Sequence, residues 1–239
     1  GIYFLNAQDT SQRIPAHIGY IKHPSPRQTR LSNGTWEVAT PEHVLSALYG
    51  LGVHHACIEI DGEEFPILDG SALPIVEAIQ AVGTVPADEN IPRITIREPF
   101  SIEHNGGQII GLPYSEGCLA TVWIHYANTI VGDQLLSVVM NPDAYVSEAA
   151  AARTFGFEAE YEALKARGLG LGVDLSSVLA VGANEYITEP RMERECVRHK
   201  LLDLWGDLAL TGATVEGQLI CIKSGHELHH HLARKLLSL

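Results

Sequence analysis

The sequence predicts an α+β fold made of two similar α+β domains. Strand-like stretches and helices fall into two blocks on either side of a short segment, 83–92. That segment holds Pro86, Pro92, Asp88 and Glu89 with little apolar content, the composition of a linker. The strongest helix of each block carries one pattern, His-x-Leu-x-x-Leu-x-Gly, from His43 to Gly50 in the first and from His199 to Gly206 in the second. Both lead toward a strand, so the match reads as a weak internal repeat. Leu and Gly coincide by chance in many helices, but a true duplication would let each half present one histidine. The expected domains are 1–88 and 93–239.

In chain order, the first block mixes short alternating stretches with a helix that starts at Thr40-Pro41-Glu42: Thr as N-cap, Pro at the first helical position, an acid in the first turn. Val44, Leu45, Ala47, Leu48 and Leu51 carry this helix to a stop near Gly50–Gly52. A strand follows over Ala56–Ile60 and turns at Asp61-Gly62. A second helix is predicted over Pro74–Val82. Strands dominate from Arg93 to Val139, with turn signals at Asn105-Gly106-Gly107 and Pro113. Residues 147–168 read as a short strand or loop and then a helix. Glu195–Leu210 is a helix, Leu219–Lys223 a strand, and Glu227–Leu237 the closing helix.

Composition bounds the function. At 46% hydrophobic and 19% charged, the 239 residues can bury a sizeable core. A formal net charge of -13 argues against nucleic acid as the main partner, because phosphate binding needs clustered Lys and Arg. It leaves room for a small anionic substrate met by a few local cations. The four cysteines (Cys57, Cys118, Cys196, Cys221) form no Cys-x-x-Cys pair, and a reducing cytoplasmic compartment is expected. No apolar run approaches the ~18 residues that span a bilayer, and no signal-like segment opens the chain.

The chemistry centres on His199 and Asp203. Four apart on a helix, they share a face and can reach one metal ion, and Asp207 continues the stripe. On spacing alone, a solvated outer face is the commoner outcome for such acids. Leu202, Trp205 and Leu208, however, place the stripe at the border of the buried side. A hydrolytic zinc site takes three protein ligands and keeps a position open, and the repeat nominates His43 as the third. Glu42, beside it, is either a base toward water or a favourable charge at a helix N-terminus. His226 follows the strand and turn Lys223-Ser224-Gly225 and, protonated, can donate to a leaving amine; Asp207 can orient it and raise its pKa. A plain surface histidine is the alternative. His229, His230 and His231 are read as ordinary residues of the closing helix, and His54 and His55 as turn residues. Standard zinc motifs such as His-Glu-x-x-His are absent.

Around these residues the sequence resembles the UDP-3-O-acyl-N-acetylglucosamine deacetylases. The family's Thr-x-Glu-His and Gly-Leu-Gly appear as Thr40 to His43 and Gly50 to Gly52. Ile-Pro-Ile-x-Asp-Gly-Ser appears as Phe65 to Ser71, and Ala-Arg-Thr-Phe-Gly-Phe as Ala152 to Phe157. Val-Arg-His-Lys-x-x-Asp-x-x-Gly-Asp-Leu appears as Val197 to Leu208, and Ser-Gly-His as Ser224 to His226. Five motifs in order, over nearly the whole chain, are highly specific. The resemblance implies two α+β domains with helices sandwiched between two β-sheets, and a passage for the acyl chain in an insert near 168–191. It implies His43, His199 and Asp203 as zinc ligands, Glu42 as general base, and His226 with Asp207 as the acid toward the amine. It also implies Thr154 as a hydroxyl that stabilises the oxyanion, with Lys200, Lys223 and Phe155 at the nucleotide-sugar.

The implied activity is hydrolysis of the N-acetyl group in lipid A biosynthesis by a cytoplasmic monomer that binds zinc, with Fe2+ also compatible with a His₂Asp donor set. Three departures bear on this. The chain opens at Gly1 without the family's Gly-Val-Gly-Leu-His-Thr-Gly-like turn, so the first sheet is expected to lack an element. The insert has Gly172-Val173-Asp174 and Ser177 where the family favours Gly-Gly-Ser and Asn. Gln108 falls where relatives carry a basic residue near the diphosphate, and the loss of one charge-assisted contact is worth ~1.5–3 kcal/mol. These differences sustain two alternatives: a deacetylase of another N-acyl sugar, and a non-catalytic relative that keeps the fold.

Overall fold

In the computed structural model, which describes residues 1–22, 24–25, 27–87, 90–160 and 177–239, strand β1 (Ile2–Asn6) is the middle of a three-stranded sheet. It pairs antiparallel with β2 (Arg13–Pro15) and parallel with β5 (Ala56–Ile60). Between β2 and β5, the strands β3 (Arg30–Ser32) and β4 (Glu37–Ala39) form their own antiparallel hairpin, with Leu31 opposite Val38 and both fully buried. The Asn33 side chain shapes its turn by accepting the N–H groups of Thr35 and Trp36.

Helix α1 spans Glu42–Gly50. Thr40 does not cap it, contrary to expectation. The Thr40 N–H donates to the Thr29 carbonyl, which extends the β3–β4 pairing by one residue. Thr40 is thereby held by the hairpin in a left-handed conformation (φ 57°), its hydroxyl bonds Gln28 and Glu64, and Pro41 takes the cap position. The other end stops where predicted: Gly52 adopts φ 74°, and the N–H groups of Gly52 and Val53 return to Tyr49 and Leu48. Helix α2 (Leu73–Val82) ends at Gly83.

The second block begins with β6 (Arg93–Thr95), β7 (Phe100–His104), β8 (Gly107–Leu112), β9 (Cys118–Tyr126) and β10 (Gly132–Met140). A short helix, α3 (Pro142–Tyr145), continues as a wider π-helical turn through Ala150. Next come β11 (Phe155–Phe157) and its parallel partner β12 (Leu179–Val181). The helix expected up to Gly168 and the Gly172–Asp174 stretch lie largely or wholly outside the described residues. Helix α4 (Glu195–Leu208), β13 (Thr214–Ile222) and helix α5 (His226–Leu236) complete the chain.

Strand β13 lies inside the large sheet, parallel to β9 and antiparallel to β8, in the order β10-β9-β13-β8-β7 with β6 beside its first residues. It starts at Thr214 rather than at Leu219. Glu216 and Gly217 break the apolar alternation that marks a strand in sequence, but pairing with β6 supplies the missing hydrogen bonds. Along β9 and β13 every second residue faces the core, with Ala120, Val122, Leu219 and Cys221 almost fully buried.

Among the described residues, apolar burial forms two clusters. One joins the large sheet to α4 and α5, and also takes in Ala47 and Val76 from the first block. The other lies on the small sheet and the β3–β4 hairpin, and takes in Ala209, Leu210 and Ala233 from the second block. Every residue of α4 except Arg198 and Lys200 is buried. That buries the acidic stripe as well, and a solvated outer face is excluded. All four cysteines are free. Among the described residues no helix is long and apolar enough to cross a membrane.

Candidate active site

The site forms where α1 crosses α4 with almost no spacer. A Cβ on Gly206 would lie 2.2 Å from the Glu42 carbonyl oxygen, so the absence of a side chain at residue 206 lets the helices touch backbone to backbone. The Tyr145 hydroxyl donates to Ser46, which donates to the Leu202 carbonyl, each at 2.9 Å, and locks the crossing. Glu42 and His43 in the first turn of α1 therefore face His199, Asp203 and Asp207 along α4. The first turns of α5 bring His226, His229 and His230 onto the same spot. All eight side chains are buried.

Among the described residues, two groups are spaced to hold a metal ion. In the first, one donor atom each of His43, His199 and Asp203 lies within 4.8 Å of the others. The Ala152 carbonyl sits 3.0 Å from His199 Nδ1. A carbonyl only accepts, so Nδ1 carries the proton and the Nε2 lone pair is left free, 3.3 Å from Asp203 Oδ1. Burial, reinforced by His199, pushes His43 down to about 3, and burial likewise lowers His199. Both rings are neutral, as metal ligands must be. Burial opposes the Asp203 carboxylate, but His199, Lys200 and His226 outweigh it and hold the carboxyl well below its usual range; Lys200 Nζ is 2.8 Å from Oδ2. Two neutral imidazoles and an ionised carboxylate fit a divalent transition metal such as zinc.

The second group, Asp207, His226 and His229, is already internally satisfied. Asp207 Oδ2 accepts from His226 Nδ1 at 2.8 Å and His229 Nδ1 at 2.9 Å. Burial would lower His226, yet Asp207, Asp203 and Glu42 raise it to about 9. Its Nε2–H points between Glu42 Oε1 at 3.8 Å and Asp203 Oδ2 at 3.9 Å. Burial pushes Glu42 up to about 7 against the opposing effect of His226. Both groups beside the His43–His199–Asp203 cluster thus hold protons more tightly than usual, and between the two values Glu42 is a carboxylate while His226 is an imidazolium.

The remaining expected residues are distributed around this centre. The Phe155 ring stands edge-on to His199 at 6.3 Å, and Lys200 Nζ lies 5.4 Å from the Phe155 ring. Thr154 is pinned through its backbone, with its N–H on the Gly70 carbonyl at 2.7 Å and its own carbonyl accepting from Leu179. Lys223 is exposed at the end of β13, outside the buried cluster. His54 stands edge-on to Tyr49 in the connection after α1. Gln108 donates to Ser101 and Glu103 across the β7–β8 pair.

His229 and His230 require correction: they are not incidental residues of the closing helix. Both are 1% exposed, His229 bridges Asp207 to Ser224, and His230 Nε2 is 2.9 Å from the Thr29 hydroxyl. Their spacing of three and four from His226 was the available signal, since it puts all three on one helix face. No local signal marks Thr29 or Ala152, which approach through the tertiary fold.

The sequence model of the family described as UDP-3-O-acyl N-acetylglycosamine deacetylase matches residues 1–238. The chain belongs to this deacetylase family. Curated relatives named UDP-3-O-acyl-N-acetylglucosamine deacetylase include one from Citrifermentans bemidjiense, 37% identical over 94% of this chain and 73% of the relative. One from Thermosynechococcus vestitus is 38% identical over 93% and 77%, and one from Legionella pneumophila 38% over 94% and 74%.

Motif residues outside the cluster brace its walls in this deacetylase-family chain. Asp69 accepts from the Ser71 N–H and hydroxyl and pairs with Arg191 at 2.6 Å. Gly70, at φ 84°, sits where a Cβ would strike the Ser177 carbonyl at 1.9 Å. Arg153 and Glu195 form a buried pair at 2.9 Å, and Glu195 also accepts the N–H groups of Arg153 and Arg191. These contacts anchor the Ala152–Phe155 strip to the start of α4 and so aim the Ala152 carbonyl at His199.

Proposed function

We propose that the chain hydrolyses the N-acetyl group of a UDP-3-O-acyl-N-acetylglucosamine and releases acetate. The observation that carries this reading is the convergence of His43, His199 and Asp203 within 4.8 Å, with Glu42 and His226 beside them, in a member of the deacetylase family. These three residues would hold a Zn2+ ion, with Fe2+ as an alternative. When bound, the ion supplies Lewis-acid polarisation of the acetamide carbonyl and acidifies water.

The chain's own groups do the proton work. Glu42 takes a proton from water as its oxygen adds to the carbonyl carbon. Thr154 donates to the carbonyl oxygen as that atom gains charge. His226 delivers the Nε2 proton to the nitrogen as the C–N bond breaks, and Asp207 holds its ring through Nδ1. Lys200, Lys223 and Phe155 contact the nucleotide-sugar. The motif order also supports domains at 1–88 and 93–239, with helices sandwiched between the two sheets and an acyl passage near 168–191. We assign a cytoplasmic monomer acting early in lipid A biosynthesis, since a UDP carrier marks an intracellular precursor.

Glu42→Ala is expected to keep its metal and lose about 10²–10⁴-fold in turnover; wild-type turnover in a metal-loaded variant would sink the base assignment. One observation favours a second substrate class: the Gln108 side chain is occupied by Ser101 and Glu103 rather than free to meet a phosphate. Assaying N-acetyl sugars with and without the UDP group separates the two readings.

A further inference from the structure

One fully buried side chain links the two proton-transfer groups of the proposed reaction. Thr29 lies in the chain just before β3, and all its polar groups are used. Its N–H donates to Glu42 Oε2 at 3.2 Å. Its carbonyl accepts the Thr40 N–H at 3.0 Å, at the entry to α1. Its hydroxyl lies 2.5 Å from Asp207 Oδ1 and 2.9 Å from His230 Nε2. The proton count settles the directions. A hydroxyl has one hydrogen, and an ionised carboxylate only accepts, so Thr29 donates to Asp207 and accepts from His230.

Asp207 Oδ2 is taken by His226 and His229, and Oδ1 takes the Thr29 hydroxyl, with His230 Nε2 farther off at 3.5 Å. The carboxylate is thus held at both oxygens, and rotation about its Cβ–Cγ bond, which would carry His226 Nδ1 with it, is blocked. Through its backbone the same residue holds the Glu42 carboxylate and the strand that leads to it. Glu42 lies on α1, Asp207 on α4 and His226 on α5. Thr29 belongs to none of these helices and touches a side chain of each: Glu42, Asp207 and, on α5, His230.

We infer that Thr29 is a positioning residue for the deacetylation: its hydroxyl fixes the Asp207–His226 pair relative to Glu42 and so sets where the proton to the leaving nitrogen is delivered. The inference rests on the function proposed above and assigns Thr29 no contact with substrate or metal. The threonine methyl and backbone persist in Thr29→Val, which removes only the hydroxyl and leaves the N–H bond to Glu42 available. Thr29→Ser keeps the hydroxyl.

The test is a kinetic comparison of wild type, Thr29→Val, Thr29→Ser, His226→Ala and the Thr29→Val/His226→Ala double variant. It uses the metal-loaded protein, well below each Tm, with UDP-3-O-acyl-N-acetylglucosamine. Thr29→Val is expected to lose about 10- to 100-fold in kcat, with KM and metal content close to wild type. Thr29→Ser is expected to recover most of that loss. In the His226→Ala background Thr29→Val should cost little more, because the group it positions is gone. Wild-type kcat in Thr29→Val, an equal loss in Thr29→Ser, or an undiminished loss in the His226→Ala background each overturns the inference. If Thr29→Val does not fold, Thr29→Ala takes its place with the same expectations. Failure of the underlying reading looks different: no turnover by wild type, or full turnover by His226→Ala.

Discussion

Glu42 Oε1 and His226 Nε2 face each other across 3.8 Å, and their environments pull their protonation in useful directions. Burial raises Glu42 to about 7. For His226, burial is outweighed by Asp207, Asp203 and Glu42, which raise it to about 9. In the proposed reaction the working form has Glu42 as carboxylate and His226 as imidazolium. Activity therefore rises as pH climbs through the Glu42 pKa and falls as pH passes that of His226. A cation bound by the neighbouring ligands moves the acidic limb lower, because it favours the Glu42 carboxylate. Asp207→Asn removes the anion on Nδ1, so the pKa of His226 drops and the basic limb of kcat/KM should move to lower pH. A basic limb that stays in place in this variant would assign the acid role to another group. Residue identity was legible here: Glu42, His43, His199, Asp203, Asp207 and His226 were all nominated by spacing or by motif. Their protonation states were not, because these depend on burial and on neighbours far away in the chain.

The decisive contact between elements is the α1–α4 crossing. Gly206 ends the second copy of the His-x-Leu-x-x-Leu-x-Gly pattern, and a Cβ there would overlap the Glu42 carbonyl at 2.2 Å. Gly206→Ala must push α1 away, moving Glu42 and His43 together. The expected cost is about 1–3 kcal/mol of stability, read by urea unfolding, together with a fall in turnover larger than that of a stability-matched variant elsewhere. Gly50, at the same place in the first copy, is small for another reason: its missing side chain makes room for the Tyr145 ring, 2.3 Å from where a Cβ would lie. The pattern was legible as a repeat, but the two glycines serve different contacts. The elements themselves read well wherever periodicity was clean, as in α1, α4 and the β7–β8 hairpin. They read poorly where a distant strand replaced a local signal. Thr40 has the residue type of a cap but is held by pairing with Thr29, and β13 passes through Glu216 and Gly217 because β6 lies beside it.

At the scale of the whole molecule, the three metal-spaced donors come from both halves of the chain, His43 from the first and His199 and Asp203 from the second. An ion held by all three ties the halves together and stabilises the folded state by mass action. At a free Zn2+ concentration about 100-fold above Kd the gain is about 2.7 kcal/mol, or about 5–10 °C in Tm for a chain of this size. Chelation should lower Tm by that amount, and His43→Ala should abolish the difference between loaded and chelated protein. Equal Tm values for loaded and chelated wild type would sink the three-ligand set.

Legible along the chain were the α+β character, the two helices that carry His43, His199 and Asp203, and the identity of the residues that converge around them. Those properties follow from local periodicity and short motifs, which are written along the chain. Only the tertiary structure decided that the acidic stripe of α4 is buried, that His229 and His230 belong to the site, and that Thr29 joins Glu42 to Asp207. Thr29 and Asp207 are 178 residues apart, and no local pattern records a contact that exists only once two helices and a hairpin have packed into one another.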